Sequence, residues 1–143
     1  MGILGKFFGA KPDYPALNSS DPAAAYLESI RSPLKKLTAM TNDPLEIVPA
    51  EKSAYIIIGK PPKQFGIAWI EDGKNIINLK TLVDEKSLSP DKLQQLNEGL
   101  RKAYITHQEK PRFVTQIGNR DVVVISSASL LDNLKGVVDK TVN

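Results

Sequence analysis

Two tight turns, each followed by an amphipathic helix, limit what this chain can fold into more than any other feature. The first turn spans Glu71-Asp72-Gly73-Lys74 and precedes a helix expected to begin near Ser89; the second lies at Gly118-Asn119 and precedes a helix expected near Ser129. Asp-Gly and Gly-Asn pairs between apolar runs favour β-hairpins because these residues tolerate positive φ. Two hairpin-helix units predict an antiparallel sheet covered by helices.

The alternation of apolar residues selects a register for the first hairpin. In a three-residue Glu71-Asp72-Gly73 loop Ile67 opposes Ile77 and Phe65 opposes Leu79, whereas a two-residue loop mixes polar and apolar residues on both faces. Because a slip of one residue moves every side chain to the opposite face, burial selects the three-residue loop, with a type I turn and Gly73 at positive φ. This register collects five apolar residues on one face: Phe65, Ile67, Trp69, Ile77 and Leu79.

The second hairpin could have a two-residue or a four-residue loop. Both loops place the same four residues on one face: Phe113, Ile117, Val122 and Val124.

Capping signals predict where the helices begin. Asp21 before Pro22 starts the first helix, which Pro33 ends or kinks by Ser32. Ser89 before Pro90 starts the next, and Ser129, with Asp132 placed for a capping box, starts the last. These signals predict three helices. Leu34, Leu37 and Met40 could extend the first of them as a second short helix.

The remaining segments complete the predicted fold. Ser53 to Ile58 is aromatic and β-branched and is interpreted as a central strand, Leu45 to Val48 as at most a short strand closed by Pro49, and Thr81 to Lys86 as a polar connector. We predict an α+β fold with an antiparallel sheet of about five strands, helices packed on one face, and an N-terminal helix. Residues 21–143 are expected to form a single domain, preceded by an amphipathic tail and linker over 1–20.

The residue types that carry catalysis are sparse. The chain has 143 residues, no cysteine and one histidine, His107, which excludes thiol nucleophiles, disulfides and multi-histidine metal sites. Ser32-Pro33-Leu34-Lys35 has the spacing of serine-lysine acyl enzymes but lacks their second motif, and no phosphate-binding glycine loop occurs. We predict no catalytic residues, no metal site and no cofactor. An enzyme using carboxylates in a cleft stays open as an alternative.

The N-terminal tail carries an apolar cluster made of Ile3, Leu4, Phe7 and Phe8. In a helix these four side chains share one face, opposite three glycines and Lys6. Each interior glycine costs about 1 kcal/mol relative to alanine, so the segment needs a surface to fold on. The cluster is therefore predicted to bind a protein partner, a second copy of the chain, or a membrane surface.

Basic residues form two small clusters, Lys60 with Lys63, and Arg101, Lys102, Lys110 and Arg112. The net charge of +3 is mild for a nucleic-acid-binding protein, in which cations line one face. Weak binding of nucleic acid or another anion through these residues is therefore the alternative hypothesis.

The first hypothesis from sequence is a non-catalytic interaction module. It would be cytoplasmic, or peripheral to the inner face of a membrane, because the sequence has neither a signal-peptide pattern nor a run of ~20 apolar residues. A protein partner or self-association is expected, with peripheral membrane contact as the other binding mode.

Overall fold

The computed structural model describes residues 14–60, 64–107 and 109–142. Within these ranges there are five helices and six strands. The helices are α1 Pro22–Ser29, α2 Arg31–Ala39, α3 Leu79–Lys86, α4 Pro90–Thr106 and α5 Ala128–Val142. The strands are β1 Leu45–Ala50, β2 Ser53–Lys60, β3 Gln64–Glu71, β4 Asn75–Asn78, β5 Arg112–Ile117 and β6 Arg120–Ile125. The fold is α+β, as predicted.

The sheet is mixed and has the order β4-β3-β2-β1-β6-β5. The prediction of about five antiparallel strands was therefore wrong in number and in direction, because β1 is a full sixth strand and pairs with β6 in parallel. Pro49 lies inside β1, opposite Ala54 of β2, whereas the parallel pairs with β6 involve Glu46 and Ile47. The missing amide of Pro49 thus lies past the parallel ladder and does not interrupt it.

Helices cover both faces of the sheet, which corrects the prediction of helices on one face. Strand side chains alternate between two apolar cores, so that Ile56 lies in one core and Ile57 in the other. The core beneath α1 and α2 contains Leu27, Ile30, Leu34, Leu37, Ile47, Ile56 and Ile70. The core beneath α3, α4 and α5 contains Tyr55, Ile57, Trp69, Leu82, Leu96, Leu100 and Leu134. A sheet with two apolar faces needs two helix layers, and the N-terminal helices provide the second.

The first hairpin keeps the predicted face but not the predicted register. Trp69 pairs with Ile77 and Glu71 with Asn75, and Asp72 as well as Gly73 has positive φ, at 55° and 75°. Gly73 was predicted correctly, but a type I turn would need negative φ at Asp72. The Gly73 amide also donates to the carbonyl of Lys52 at 2.8 Å, a contact with the neighbouring β1–β2 turn. The observed register differs from the predicted one by two residues, so Phe65, Ile67, Trp69 and Ile77 still share one core, while Leu79 begins α3.

The second hairpin has the two-residue loop. Ile117 pairs with Arg120, and Gly118 has a φ of 62°. Ile117, Val122 and Val124 all lie in the core beneath α1 and α2, which confirms the predicted face for these three.

The helix starts were predicted in part. Asp21 and Ser89 cap α1 and α4 through their side chains, as predicted. The last helix begins earlier than predicted, because Ser127 rather than Ser129 accepts the Leu130 amide, at 3.1 Å. The segment interpreted as a polar connector is α3, which Asn78 caps by accepting the Thr81 amide at 2.9 Å.

Candidate functional site

The outer edge of β5 is occupied by the chain's own linker. Val114 donates its amide to the Pro15 carbonyl and accepts from the Leu17 amide, both at 2.9 Å, so that Ala16 forms a parallel bridge with Val114. We call Pro15–Leu17 the edge clip. Leu17 is half-buried and packs against the core beneath α1 and α2. The edge clip therefore lies beside β5, with its leucine against the core.

Local chemistry limits the edge clip to this short length. Pro15 has no amide to donate, so the ladder cannot continue through it toward the N-terminus. On the other side Asn18 begins a turn: its carbonyl accepts the Asp21 amide at 3.0 Å, and its side-chain oxygen accepts the Ser20 amide at 2.9 Å. The turn leads directly into the Asp21 cap of α1.

A buried polar cluster joins β1, α4 and β5 on the opposite face of the sheet from α1 and α2. The Glu46 side chain is only 3% exposed. Its two carboxylate oxygens lie 3.0 Å from the Tyr104 hydroxyl, which donates to them, and Arg112 Nε donates to Oε1 at 3.4 Å. The Arg112 guanidinium lies 5.5 Å from the centre of the Tyr104 ring, within cation–π range.

The electrostatics of this cluster follow from its burial. Desolvation, reinforced by the negative charge of Glu46, raises the pKa of Tyr104 to about 12. Burial lowers the pKa of Arg112, but Tyr104, Glu46 and the linker residue Tyr14 raise it, and the net pKa lies above its ordinary value. The cluster is thus a neutral phenol beside an ion pair, and it holds β1, α4 and β5 together through side chains.

The predicted apolar site lies outside the described residues. Ile3, Leu4, Phe7 and Phe8 all precede residue 14, where the described part of the chain begins, so their role stays a prediction. The structure contributes the position of the edge clip that follows them.

The predicted basic residues do not form one surface in the part of the chain that the structure describes. Lys60 ends β2, and Lys63 lies outside the described ranges. Arg101 and Lys102 lie on α4, where the Arg101 guanidinium is 6.0 Å from the centre of the Phe65 ring. Lys110 is exposed and accepts through its carbonyl from Arg112 Nη1 at 3.2 Å. The Arg112 side chain itself is 9% exposed and points inward to Glu46.

His107 caps the C-terminus of α4. Its Nε2 lies 3.3 Å from the side-chain amide nitrogen of Asn133 on α5. Over residues 14–60, 64–107 and 109–142, no three His, Asp or Glu side chains are grouped so that they could hold a metal ion. In the same ranges Glu46 is the one buried carboxylate, and Arg112 accompanies it.

Sequence reasoning missed both the edge clip and Glu46. A signal for Glu46 was present, since a carboxylate inside the apolar run Leu45-Glu46-Ile47-Val48 must find a cation or a donor when the strand is buried on both faces. For the edge clip, Pro15-Ala16-Leu17 has no pattern that distinguishes a docked segment from a free linker.

Together these features define an α+β domain with a mixed sheet and a docked N-terminal edge segment. Comparison with protein-family models, with curated proteins and with solved structures found no match to this chain. None of the helices in the described part of the chain combines the length and apolar character needed to cross a membrane.

Proposed function

We propose that this protein is a non-catalytic interaction module whose N-terminal apolar cluster binds a protein partner or the surface of a membrane. The observation that carries the proposal is the edge clip. Its two backbone hydrogen bonds to Val114 hold Pro15–Leu17, which follow the cluster in the sequence, beside β5. The proposed location is the cytoplasm, including the inner face of a membrane.

The chemistry of the cluster supports this function. In a helix, two aliphatic and two aromatic side chains would share one face, the pattern of segments that fold against an apolar surface; these are Ile3, Leu4, Phe7 and Phe8. Lys6 on the other face would remain in water or contact anionic headgroups. The buried ion pair of Glu46 and Arg112 supports a structural role for the charged residues within the domain.

The test compares the full chain with a variant in which the cluster is made polar. The variant carries Ile3→Ser, Leu4→Ser, Phe7→Ser and Phe8→Ser. Met40→Ser provides a matched control, because Met40 is a large apolar side chain that is 69% exposed on the domain itself. Sedimentation velocity gives the oligomeric state, and co-sedimentation with anionic and with neutral lipid vesicles gives membrane binding.

We expect the full chain and the Met40→Ser control to self-associate or bind vesicles, and the four-serine variant to lose that property. Binding that needs anionic lipid would identify the membrane mode, and self-association without vesicle binding the protein mode. If the four-serine variant behaves like the full chain in both assays, the proposal is wrong. Salt-sensitive binding of single-stranded nucleic acid by that variant would instead favour the basic residues.

A further inference from the structure

The edge clip uses only part of the strand edge on which it lies. β5 extends over Arg112–Ile117, and within the described residues the clip bonds only the backbone of Val114. Alternate residues of a strand direct their backbone amides and carbonyls to the same edge, so the amide and carbonyl of Gln116 point to the same edge as those of Val114. No backbone hydrogen bond from the described ranges reaches Gln116 on that edge. The edge therefore offers an extended segment more backbone pairing than the clip uses.

The clip is also weakly held, for reasons already set by its sequence. It contributes one amide and one carbonyl to the ladder, and its single apolar anchor, Leu17, is half-buried. The exposed turn residues Asn18, Ser19 and Ser20 connect it to α1. A short edge segment on a polar turn can leave its own domain and occupy the same edge of an identical one, because every lost contact is made again.

We infer that the edge clip exchanges between two copies of this chain, with Pro15–Leu17 of one copy pairing with Val114 of the other. This inference rests on the proposed function and names the partner as a second copy. The argument for that partner is complementarity: the segment seated on β5 is parallel, carries a proline that ends its ladder, and places a leucine on the core. A second copy offers this segment in full. Exchange also brings the two N-terminal apolar clusters to one assembly.

Cysteine cross-linking between differently labelled chains tests the exchange directly, because the chain contains no cysteine of its own. One full-length protein carries Ala16→Cys and a second carries Val114→Cys. Paired strands lie about 4.8 Å apart, within the range of Cα separations that a disulfide spans. Neither protein alone can form the 16–114 link within one chain. A mixture of Ala16→Cys with Met40→Cys measures collision between exposed thiols.

We expect oxidation of the first mixture to give a covalent heterodimer whose linked peptides contain residues 16 and 114, at a yield above the Met40→Cys control. Adding Leu17→Asp to the Ala16→Cys chain should remove this excess, because a carboxylate cannot occupy the apolar seat of Leu17. A yield equal to that of the control, at concentrations where the unmodified chain self-associates, would overturn the inference.

The four-serine variant separates this inference from the proposed function, since it leaves the edge clip intact. If the cysteine mixture gives no excess heterodimer while the four-serine variant still loses vesicle or partner binding, exchange is wrong and the interaction module stands. If the heterodimer forms equally well on the four-serine background and that background keeps all binding, the clip exchanges and the apolar cluster is not the binding surface.

Discussion

Gly99 provides the sharpest test of how the two long helices are packed. A methyl group added at Gly99 of α4 would lie 2.6 Å from Cγ1 of Val137 on α5, well inside ordinary van der Waals contact. Gly136, the neighbour of Val137, has no atom within 4 Å of the corresponding position. The two glycines therefore form a matched pair, in which the same Gly→Ala substitution meets a branched side chain at one position and open space at the other.

The expected energies have opposite signs. Alanine replaces glycine in a helix interior with a gain of about 0.5–1 kcal/mol, and this gain applies at both positions. Overpacking a well-packed interface costs about 1–3 kcal/mol, and it applies only at Gly99. We expect Gly99→Ala to destabilise the domain by about 1–2 kcal/mol and Gly136→Ala to stabilise it by about 0.5–1 kcal/mol.

Urea denaturation followed by the fluorescence of Trp69, the single tryptophan and a buried one, measures both changes. A shift in midpoint at constant slope reports a change in stability. Val137→Ala removes the Cγ atoms that oppose the new methyl group, so Gly99→Ala should cost about 1–2 kcal/mol less on that background. If Gly99→Ala stabilises the protein as Gly136→Ala does, α4 and α5 do not pack as described. The same conclusion follows if the cost of Gly99→Ala is unchanged on the Val137→Ala background.

Three further predictions test the polar contacts. Arg120→Ala should destabilise the domain by about 2–4 kcal/mol in thermal unfolding. The Arg120 guanidinium donates to the backbone carbonyls of Thr38 in α2 and of Thr41 and Asp43 beyond its end, at 3.2, 2.7 and 2.6 Å. An unchanged melting temperature would contradict this role. Glu46→Gln should lower the free energy of unfolding by about 2–4 kcal/mol, because it removes the carboxylate charge beside the buried Arg112 guanidinium. The double variant Glu46→Leu with Arg112→Met should recover most of that loss in urea denaturation. If the costs of the two substitutions in the double variant simply add, the ion pair does not act as described. Desolvation is the main cause that raises the pKa of Tyr104, and that of Tyr55, from 10.0 to about 12. The stability that these two phenols contribute is complete below pH 10 and is lost as the pH rises toward 12. Tyr104→Phe should therefore make the free energy of unfolding fall less steeply at alkaline pH, and an equally steep fall would refute the pKa shift.

Local signals in the sequence were sufficient for two of the helix starts and for most of the apolar face predicted for each hairpin. Asp21 and Ser89 cap helices through residues two or three positions away, so their role depends on nearby sequence alone. The faces of the hairpins survive an error of two residues in register, because side chains alternate with a period of two.

What the sequence did not provide depends on contacts between distant residues. The turn at Asp72 and Gly73 meets the carbonyl of Lys52, which no local propensity encodes. The parallel pairing of β1 with β6 and the packing of α1 and α2 on the second face are likewise set by tertiary contacts.

Of the candidate site, sequence supplied the apolar cluster at 3, 4, 7 and 8, which stays a prediction, and the basic residues, one of which turns inward. Arg112 looks like its exposed neighbour Lys110 in sequence, and only the fold places Glu46 beside it. The edge clip can pair with Val114 because β5 is the last strand of the sheet and no other strand in the described part of the chain covers its outer side. This edge position follows from the strand order.

The parallel joint between β1 and β6 also bears on how the molecule assembles itself. Each hairpin pairs strands that follow one another in the chain. By contrast, β1 pairs with β6, from which β2 through β5 and two helices separate it in the sequence. Contacts between such remote segments slow folding, because the entropy of closing a long loop is lost before the contact is gained. We expect this joint to be the last part of the sheet to form and the step that sets the refolding rate.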